Sequence, residues 1–566
     1  MASGKWRLPF LIAAIALVAV LAVSCGEEEE EEGPTATTAP TGERIEGGSL
    51  TVATLEVDSL DPHYSSFSQD ISLARMLWRS LYTLDYDNVP QPAMAAELPE
   101  ISEDGKTYTV KLRDGLKWSD GDDLLAEDFV MGIYRTCNPV HAGEYQYLLT
   151  NIIGCDDHFG NEAGYDESLE NLIGAEAIDD LTLEFALNEP QPTFPIILSL
   201  WMAFPAPVHL LPESSDPWPE PAPGAPAALA YNGPYILTEY QPGDHATLEP
   251  NPNWIGEVKP TLDTLSLRFI DDFAVSNNAY RAGEVDFSNA DEAQLVAIVP
   301  EFEATGEYVK VEIPITIGLQ MQLEAPPLDN LDVRLALARA FDREQLNQVV
   351  YGGGHTPTTS WIPLADGGDL PEAFEDVIGF DVEAAKEHLA DAGYPDGEDF
   401  PVLSILVRDT PTYRGVAEFL QESFRTALNI DTEVEVVDAP TRSARYTAED
   451  FELFPGGWQH DYPDPENWIL GQFETGGSLN NYSCSNTEID ELAAEARFNP
   501  NNEERLQQYK DINRLIAENV CGVAPYLHFA NHYLIKPYVV GMEENATGQD
   551  SVMAGDWIAE AWGRSQ

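Results

Sequence analysis

The chain has 566 residues, 43% of them hydrophobic, and its 98 Asp and Glu against 29 Lys and Arg give a net charge of −69. At about 100–200 residues per domain, this length predicts two to four domains with substantial cores. The charge argues against nucleic acid as a partner, because phosphate binding needs clustered basic residues, and five cysteines in so long a chain exclude a small disulfide scaffold.

The N-terminus has the pattern of an export signal. Lys5 and Arg7 precede an apolar run, residues 8–23, that is too short and wrongly flanked for a membrane span. The small residues that follow lead to Cys25 and resemble a bacterial lipobox. The resemblance implies a signal peptide over residues 1–24, cleavage before Cys25 and a diacylglyceryl thioether on its sulfur. The alternative is an ordinary signal peptide that is cut nearby.

Residues 25–46 are acidic and then rich in Gly, Pro, Thr and Ala, so they cannot build a core and are predicted to form a flexible tether. A tether behind a lipid anchor places the globular part outside the membrane, within reach of a membrane partner. The acid excess continues along the whole chain. It fits either adaptation to salty water or an ordinary acidic extracellular protein.

The remaining chain mixes strand and helix patterns. Apolar and polar residues alternate in five segments, which predicts half-buried strands. The segments are 108–112, 181–187, 265–269, 309–313 and 434–436. Helices are predicted over 381–392, where Asp381 is a good N-cap and Gly393 follows, over 332–350, and along the apolar stripe of 506–516. These patterns indicate an α/β protein.

Four cysteines follow Cys25, and export permits disulfide bonds. Cys137 and Cys155 enclose a short loop, and Cys484 and Cys521 flank a helical stretch. We favour pairing them in that order, although sequence alone allows three connectivities.

The sequence gives no support to an enzyme, a metal site or a cofactor. The P-loop, GxGxxG, HExxH, GxSxG and CxxC motifs are absent from the chain. Histidines such as His63, His245 and His355 have no ligand partner at metal spacing. Pairs of carboxylates such as Asp461 and Asp464 carry no weight, because 98 acidic residues guarantee chance pairs.

A series of short motifs, in a fixed order, carries a family resemblance. The motifs are GGSLTV at 47–52, LDPH at 60–63, DGKTYTVKLRDG at 104–115, KWSDG at 117–121, AEDFV at 126–130, AIDDLTL at 177–183, NGPY at 232–235, YRAGEVD at 280–286, VRLA at 333–336 and GWQHDYPDP at 457–465. From residue 47 to the C-terminus, the chain resembles the extracellular solute-binding proteins of peptide-type ABC importers, the oligopeptide- and dipeptide-binding family 5.

The resemblance implies an α/β fold of the two-lobed periplasmic-binding-protein type, a clamshell with mixed sheets flanked by helices and an extra domain inserted into lobe one. The implied boundaries are 47–83, 179–315 and 523–566 for lobe one, 84–178 for the inserted domain and 316–522 for lobe two. The ligand would lie in the cleft between the lobes, which close over it by a hinge motion.

The resemblance also implies partners and a location. The expected protein is a monomer without catalytic activity, anchored by lipid to the outer face of the bacterial cytoplasmic membrane, in the periplasm or at the cell surface. It would bind a peptide or another small solute and dock on ABC permease subunits that cytoplasmic ATPases power.

In this family an Asp in a Gly-Trp-x-x-Asp motif meets the α-ammonium of the peptide, because an unpaired buried charge is costly. The matching position here is Asp461. Gly457 and its neighbour Gly456 would let the ligand backbone approach, and Trp458 would provide an apolar wall. The alternative for Asp461 is an Asx turn, and the alternative for Trp458 is core packing.

Two further assignments stay open. Tyr526 is a candidate to line the cleft, and its alternative is a core aromatic of the hinge strand. No residue is assigned to the carboxylate of the ligand, since four arginines of lobe two are equally placed by sequence. They are Arg408, Arg414, Arg442 and Arg445.

Two other functions compete with peptide transport. The same fold could carry another solute, such as an oligosaccharide, an opine-like compound or a chelated metal, because fold does not settle substrate. A secreted hydrolase is the alternative from a different class, and it would need a nucleophile or metal constellation.

Overall fold

The computed structural model describes residues 43–85, 88–141, 143–226, 228–291, 294–542 and 559–565. The predicted signal peptide, Cys25 and nearly all of the predicted tether lie outside the described residues. Across the described ranges, every helix is too short or too polar to span a bilayer.

The described chain alternates between strands and helices. The strands are β1 Ser49–Thr54, β2 Tyr82–Leu84, β3 Pro90–Pro92, β4 Glu100–Ile101, β5 Thr107–Lys111, β6 Ala175–Asp179, β7 Thr182–Ala186, β8 Tyr235–Gln241, β9 His245–Pro250, β10 Thr264–Phe269, β11 Phe287–Asn289, β12 Tyr308–Met321, β13 Thr356–Pro357, β14 Leu403–Arg408, β15 Thr432–Val437, β16 Leu453–Gln459, β17 Val523–Ile535, β18 Val539–Val540 and β19 Gly563–Arg564. The helices are α1 Ser68–Leu77, α2 Ala126–Thr136, α3 Cys155–Phe159, α4 Glu167–Glu170, α5 Phe194–Ile197, α6 Phe273–Ala282, α7 Leu295–Phe302, α8 Leu331–Arg339, α9 Arg343–Val350, α10 Glu375–Ile378, α11 Val382–Asp391, α12 Pro411–Leu428, α13 Ala439–Thr447, α14 Pro465–Ile469, α15 Thr487–Arg497 and α16 Asn502–Asn519. The five predicted strands and the helices predicted around 381–392 and 506–516 are confirmed.

The prediction of one helix over 332–350 is wrong, because the chain forms α8 and α9 there. The break falls at Asp342, whose side chain accepts a hydrogen bond of 3.0 Å from the backbone N–H of Gln345. Asp342 thereby caps a new helix instead of continuing the old one.

Two long antiparallel strands, β12 and β17, run through the centre of the main sheet. The sheet order is β15-β14-β16-β12-β17-β11-β1-β10-β9-β8, and β13 also pairs with β17. The register between β12 and β17 shifts between Glu312 and Thr316. On one side of this shift β17 pairs with β11, and on the other side β12 pairs with β16.

The hydrophobic cores divide at the same place. Two clusters contain residues up to Val311 and from Leu534 onward, and two others contain residues from Ile317 to Leu527. Tyr462 is an exception, since it packs into the first group. The molecule therefore has the two-lobed α/β architecture expected from the sequence, with β12 and β17 crossing between the lobes.

A separate four-stranded antiparallel sheet, in the order β4-β5-β7-β6, lies in the region of the predicted inserted domain. Tyr108 of β5 and Ala177 of β6 pair with Phe185 and Leu183 of β7. The predicted boundary after residue 178 would separate β6 from β7. We therefore extend the proposed inserted domain to Ala186.

Two disulfide bonds staple the described chain. Cys137 at the end of α2 is bonded to Cys155 at the start of α3, and Cys484 is bonded to Cys521. These are the two pairs that the order of the cysteines favours.

Candidate ligand-binding site

One edge of β16 is largely unpaired. Its antiparallel ladder with β12 runs from Leu453 to Gln459, but on its other side the described pairing with β14 is confined to Leu453. The carbonyl of Pro455 points to this open side, where it accepts a hydrogen bond of 2.6 Å from Arg442. In an antiparallel strand, the backbone N–H and C=O groups of alternate residues point to the same side. Those of Gly457 and Gln459 therefore face the open side, like the carbonyl of Pro455.

Asp461 lies two residues beyond the end of β16, in a half-buried position. Its backbone N–H donates to Oδ1 of Asn467 at 2.9 Å, and Nδ2 of Asn467 donates to its Oδ2 at 3.2 Å. Burial raises the pKa of Asp461, and hydrogen bonds from Tyr147 and Asn467 oppose that rise. Among the described residues, no Lys or Arg forms an ion pair with this carboxyl group, and its hydrogen-bond donors Tyr147 and Asn467 are neutral.

Asn467 is the residue that connects the two predicted site residues. Besides its two bonds to Asp461, its Oδ1 accepts a hydrogen bond of 3.1 Å from the indole N–H of Trp458. Asn467 is 7% exposed and lies in the first turn of α14. These three bonds fix which way its amide points, and they hold Trp458 and Asp461 side by side. Sequence reasoning missed Asn467, since nothing in the motif distinguishes it from an ordinary helical residue.

Tyr147 reaches Asp461 from the proposed inserted domain. It lies in a 3-10 turn, Glu144–Leu149, and its hydroxyl donates to the Asp461 carboxylate. Burial and the charge of Asp461 raise the pKa of Tyr147, so the phenol stays protonated. The residue as a whole is nevertheless 45% exposed. The candidate site therefore includes groups from two parts of the chain that the sequence could not bring together.

The glycines of the motif have a packing explanation. A Cβ on Gly457 would lie 2.1 Å from the carbonyl oxygen of Thr316 on β12, and a Cβ on Gly456 would meet the ring of Phe454 at 2.5 Å. Gly457 is also exposed, so its backbone remains accessible from the open side of β16. The close pairing of β16 with β12 explains why residue 457 is a glycine. Because Gly457 is exposed, a contact with the ligand backbone stays a prediction.

Tyr526 lies in the core of the second lobe. It is 1% exposed, on β17, and its ring meets Phe341 edge to face with 6.4 Å between the centroids. Burial raises its pKa well above the usual range. This placement favours the interpretation of Tyr526 as a core aromatic of the crossing strand over a residue that lines the cleft.

The four candidate arginines fall into two pairs. Arg414 forms an ion pair with Asp409, and Arg445 forms ion pairs with Glu435 and Asp450. Arg408 and Arg442 instead share an aromatic neighbour. Their guanidinium carbons lie 4.6 Å and 4.8 Å from the ring centroid of Tyr413, and that of Arg442 lies 3.7 Å from the ring of Phe454.

One group of side chains in the described ranges has the spacing of metal ligands. It consists of Asp120, Asp122 and His209, all of them exposed. His209 is already hydrogen-bonded to Asp120 at 2.8 Å. Exposed acidic groups of this kind are common in so acidic a chain, and the group is not part of the site around Asp461.

The strands β12 and β17 join two sets of hydrophobic cores, and polar groups from distant parts of the chain, Tyr147 and Asn467, meet at Asp461. This arrangement is that of a two-lobed solute-binding protein. The structure matches the unliganded open form of the periplasmic murein tripeptide-binding protein MppA with a TM-score of 0.80 and 23% identity, over 93% of this chain and 99% of that one. Residues 89–480 match the model of the bacterial extracellular solute-binding proteins, family 5, and the chain belongs to this family.

Two relatives from Escherichia coli (strain K12) have different names. The periplasmic oligopeptide-binding protein OppA is 27% identical over 511 residues, which are 88% of this chain and 89% of the relative. The probable deoxycholate-binding periplasmic protein YgiS is 28% identical over 488 residues, 85% of this chain and 88% of the relative. The family and both relatives are named as binding proteins.

Proposed function

We propose that this protein binds short peptides at the open edge of β16 and delivers them to an ABC permease. The observation that carries the proposal is the Asp461 carboxylate, which is half-buried, held by neutral donors and next to exposed strand backbone. Such a carboxylate needs a cation to offset its desolvation, and the α-ammonium of a peptide supplies one. The name of the relative OppA supports the same choice of ligand.

The open edge supports a binding mode that ignores side-chain identity. Gly457 and Gln459 offer backbone donors and acceptors with which an extended peptide can pair as an added strand. Trp458, half-buried and fixed by Asn467, provides a rigid apolar surface beside them. Main-chain pairing gives affinity for many sequences, and the charged end fixes the register of the ligand.

Other solutes of the same fold are the second candidates. The relative YgiS has a similar identity to this chain, and its name gives a different ligand, deoxycholate. A neutral oligosaccharide would leave Asp461 without a counter-charge, and an anionic solute would be repelled from it. The chemistry around Asp461 therefore favours a ligand with an amine.

Two measurements test the proposal. Native mass spectrometry of the mature domain, purified gently without Cys25, should show adducts that resolve into short peptides. Calorimetric titration should then show that pentaalanine with free ends binds and that N-acetyl-pentaalanine binds at least about 30-fold more weakly, because the acetyl group removes the cation. Hexose-spaced adducts, a metal complex, or equal affinity for the two peptides would refute peptide capture through Asp461.

The proposal includes a lipid anchor at Cys25 behind the predicted tether. Mature protein extracted from the cell envelope should begin at Cys25 and carry the mass of a diacylglyceryl group, and Cys25→Ala should release the protein into the soluble fraction. Retention of the Cys25→Ala variant in the membrane would contradict the anchor.

A cell that lacks this protein should lose uptake of the peptides that the purified protein binds, and unchanged uptake would contradict delivery to a permease.

A further inference from the structure

A buried histidine, His460, lies directly before Asp461 in the turn that follows β16. Its backbone N–H donates to the carbonyl of Pro314 on β12 at 3.2 Å. Pro314 lies within the shift of register between Glu312 and Thr316. This bond therefore ties the turn that carries Asp461 to the place where the strands cross between the lobes.

The imidazole of His460 is paired with a buried carboxylate. Its Nδ1 lies 2.7 Å from Oδ2 of Asp366, and both side chains are fully buried. The indole N–H of Trp468 donates to the same Oδ2 at 2.7 Å, which favours the carboxylate anion over the acid. In the described part of the chain, Asp366 forms no ion pair with Lys or Arg. His460 is thus the group that can supply the positive charge this buried anion needs.

The charge of His460 also acts on Asp461. Burial raises the pKa of Asp461; hydrogen bonds from Tyr147 and Asn467 lower it, and the positive charge of His460 lowers it as well. An imidazolium beside the carboxyl group favours its ionised form. Because Asp366 compensates that charge, the pair as a whole is neutral and repels an approaching ammonium less than a lone cation would.

We propose that Asp366 and His460 form a buried ion pair that keeps Asp461 ionised and fixes the turn on which it lies. This inference rests on the proposed function, in which Asp461 meets the α-ammonium of the peptide. Both side chains are fully buried, so they act on the ligand only through Asp461 and are positioning residues. The pair extends peptide capture to lower pH, because it opposes the effect of burial on the binding carboxylate.

Other titratable groups lie around the same turn. The charge of the binding carboxylate helps to raise the pKa of Tyr145 and Tyr147, which stay neutral. Burial raises the pKa of Glu466 to about 7, and Asp464 is paired with Arg505. None of these groups is replaced in the variants below. Their titration is therefore common to wild type and variant when the two are compared at the same pH.

Asp366→Asn removes the charge of the pair with little change in shape. The amide oxygen of Asn can accept from Trp468 and His460 as Oδ2 does, but His460 loses its counter-charge and with it its proton. In calorimetric titrations, affinity for pentaalanine should be close to that of the wild type at about pH 8 and at least about 3-fold weaker than the wild type at about pH 5. Asp369→Asn is the matched control. It removes a carboxylate of the same loop that accepts a hydrogen bond from Asn513, and it should bind like the wild type at both pH values.

His460→Gln separates the charge of the pair from its packing. Alone, this change leaves Asp366 buried without a counter-charge, so it should lower the melting temperature. Adding Asp366→Asn removes that anion and should restore the melting temperature, but the double variant should still bind pentaalanine weakly at about pH 5. A pair that acts only through packing predicts that both properties recover together.

A spectroscopic measurement reports on the pair without any ligand. In protein with isotopically labelled histidine, the resonances that disappear in the double variant identify His460. In the wild type at about pH 7 they should have the nitrogen chemical shifts of an imidazolium.

The outcomes separate the two proposals. A neutral imidazole at His460, wild-type affinity of Asp366→Asn at both pH values, or full recovery of binding in the double variant would overturn the ion pair while peptide capture stands. Failure of the wild-type protein to bind pentaalanine at either pH would overturn peptide capture through Asp461, and with it the role of the pair in binding.

Discussion

Replacing Asp461 by Asn separates ligand recognition from folding. The amide oxygen of Asn can accept the hydrogen bond from Asn467, and its amide N–H can donate to the hydroxyl of Tyr147. No cation loses a partner, because none is paired with Asp461 among the described residues. The free energy of unfolding should therefore change by less than about 1 kcal/mol. The ligand ammonium, in contrast, would lose its counter-charge, which costs about 2–5 kcal/mol, or roughly 30- to 5,000-fold in affinity for a free-amine peptide.

The pH dependence of the same variant has a defined sign. Burial places the pKa of Asp461 above that of an exposed Asp, so the native state holds its proton more readily than the unfolded chain does. The wild-type protein therefore loses stability as the pH rises from the unfolded to the folded pKa of this group, and Asp461→Asn does not. Peptide affinity of the wild-type protein should fall as the pH drops below the folded pKa, because the anion is lost.

The assay is calorimetric titration of pentaalanine and N-acetyl-pentaalanine, together with thermal unfolding over a pH series. Asp431→Asn is the matched control, because Asp431 is an exposed residue just before β15 and its replacement changes the net charge equally. A loss of affinity below about 3-fold in Asp461→Asn, an equal loss in Asp431→Asn, or unfolding of Asp461→Asn would refute the reasoning.

Three further outcomes are expected. Asn467→Ala removes the hydrogen bonds that orient Trp458 and Asp461. Affinity for free-amine peptides should therefore fall about 10-fold, and tryptophan fluorescence should shift. Unchanged affinity would show that Asn467 does not position the two binding residues. Burial, and then the charge of a neighbouring Asp, raise the pKa of Glu466 to about 7, above its ordinary value of 4.5. The stability of the native state should therefore decline between pH 4.5 and about 7. In a pH series of thermal melts, Glu466→Gln should reduce that decline. Gly457→Ala forces β16 away from β12 and should cost about 1–3 kcal/mol in urea unfolding, and a neutral effect would contradict the close strand pairing.

Local signals were enough for much of the secondary structure. Asp381 caps α11 by accepting hydrogen bonds from the backbone N–H groups of Glu383 and Ala384, and both the cap and the following Gly393 are visible in the sequence. Asp342 carried the same kind of signal, with Gln345 three residues later, but the apolar pattern that continues across it concealed the break.

The site was predictable only where one motif contains it. Asp461 and Trp458 lie in a single short segment, so a sequence pattern could locate both. Tyr147 comes from a distant 3-10 turn whose approach to Asp461 depends on tertiary packing. Which of the four candidate arginines already has a carboxylate partner likewise depends on tertiary packing.

The position of β17 has a consequence for the order of events in folding. This strand begins at Val523, yet it lies between β12 and β11 at the middle of the main sheet. Until those last residues are available, β12 and β11 lack the neighbour that joins them, and neither lobe can complete its sheet. Such pairing between distant segments is slow to form, and the main sheet cannot be completed before Val523–Ile535 has been synthesised. Until then, a growing chain leaves β11 and β12 unpaired on the sides that β17 will occupy.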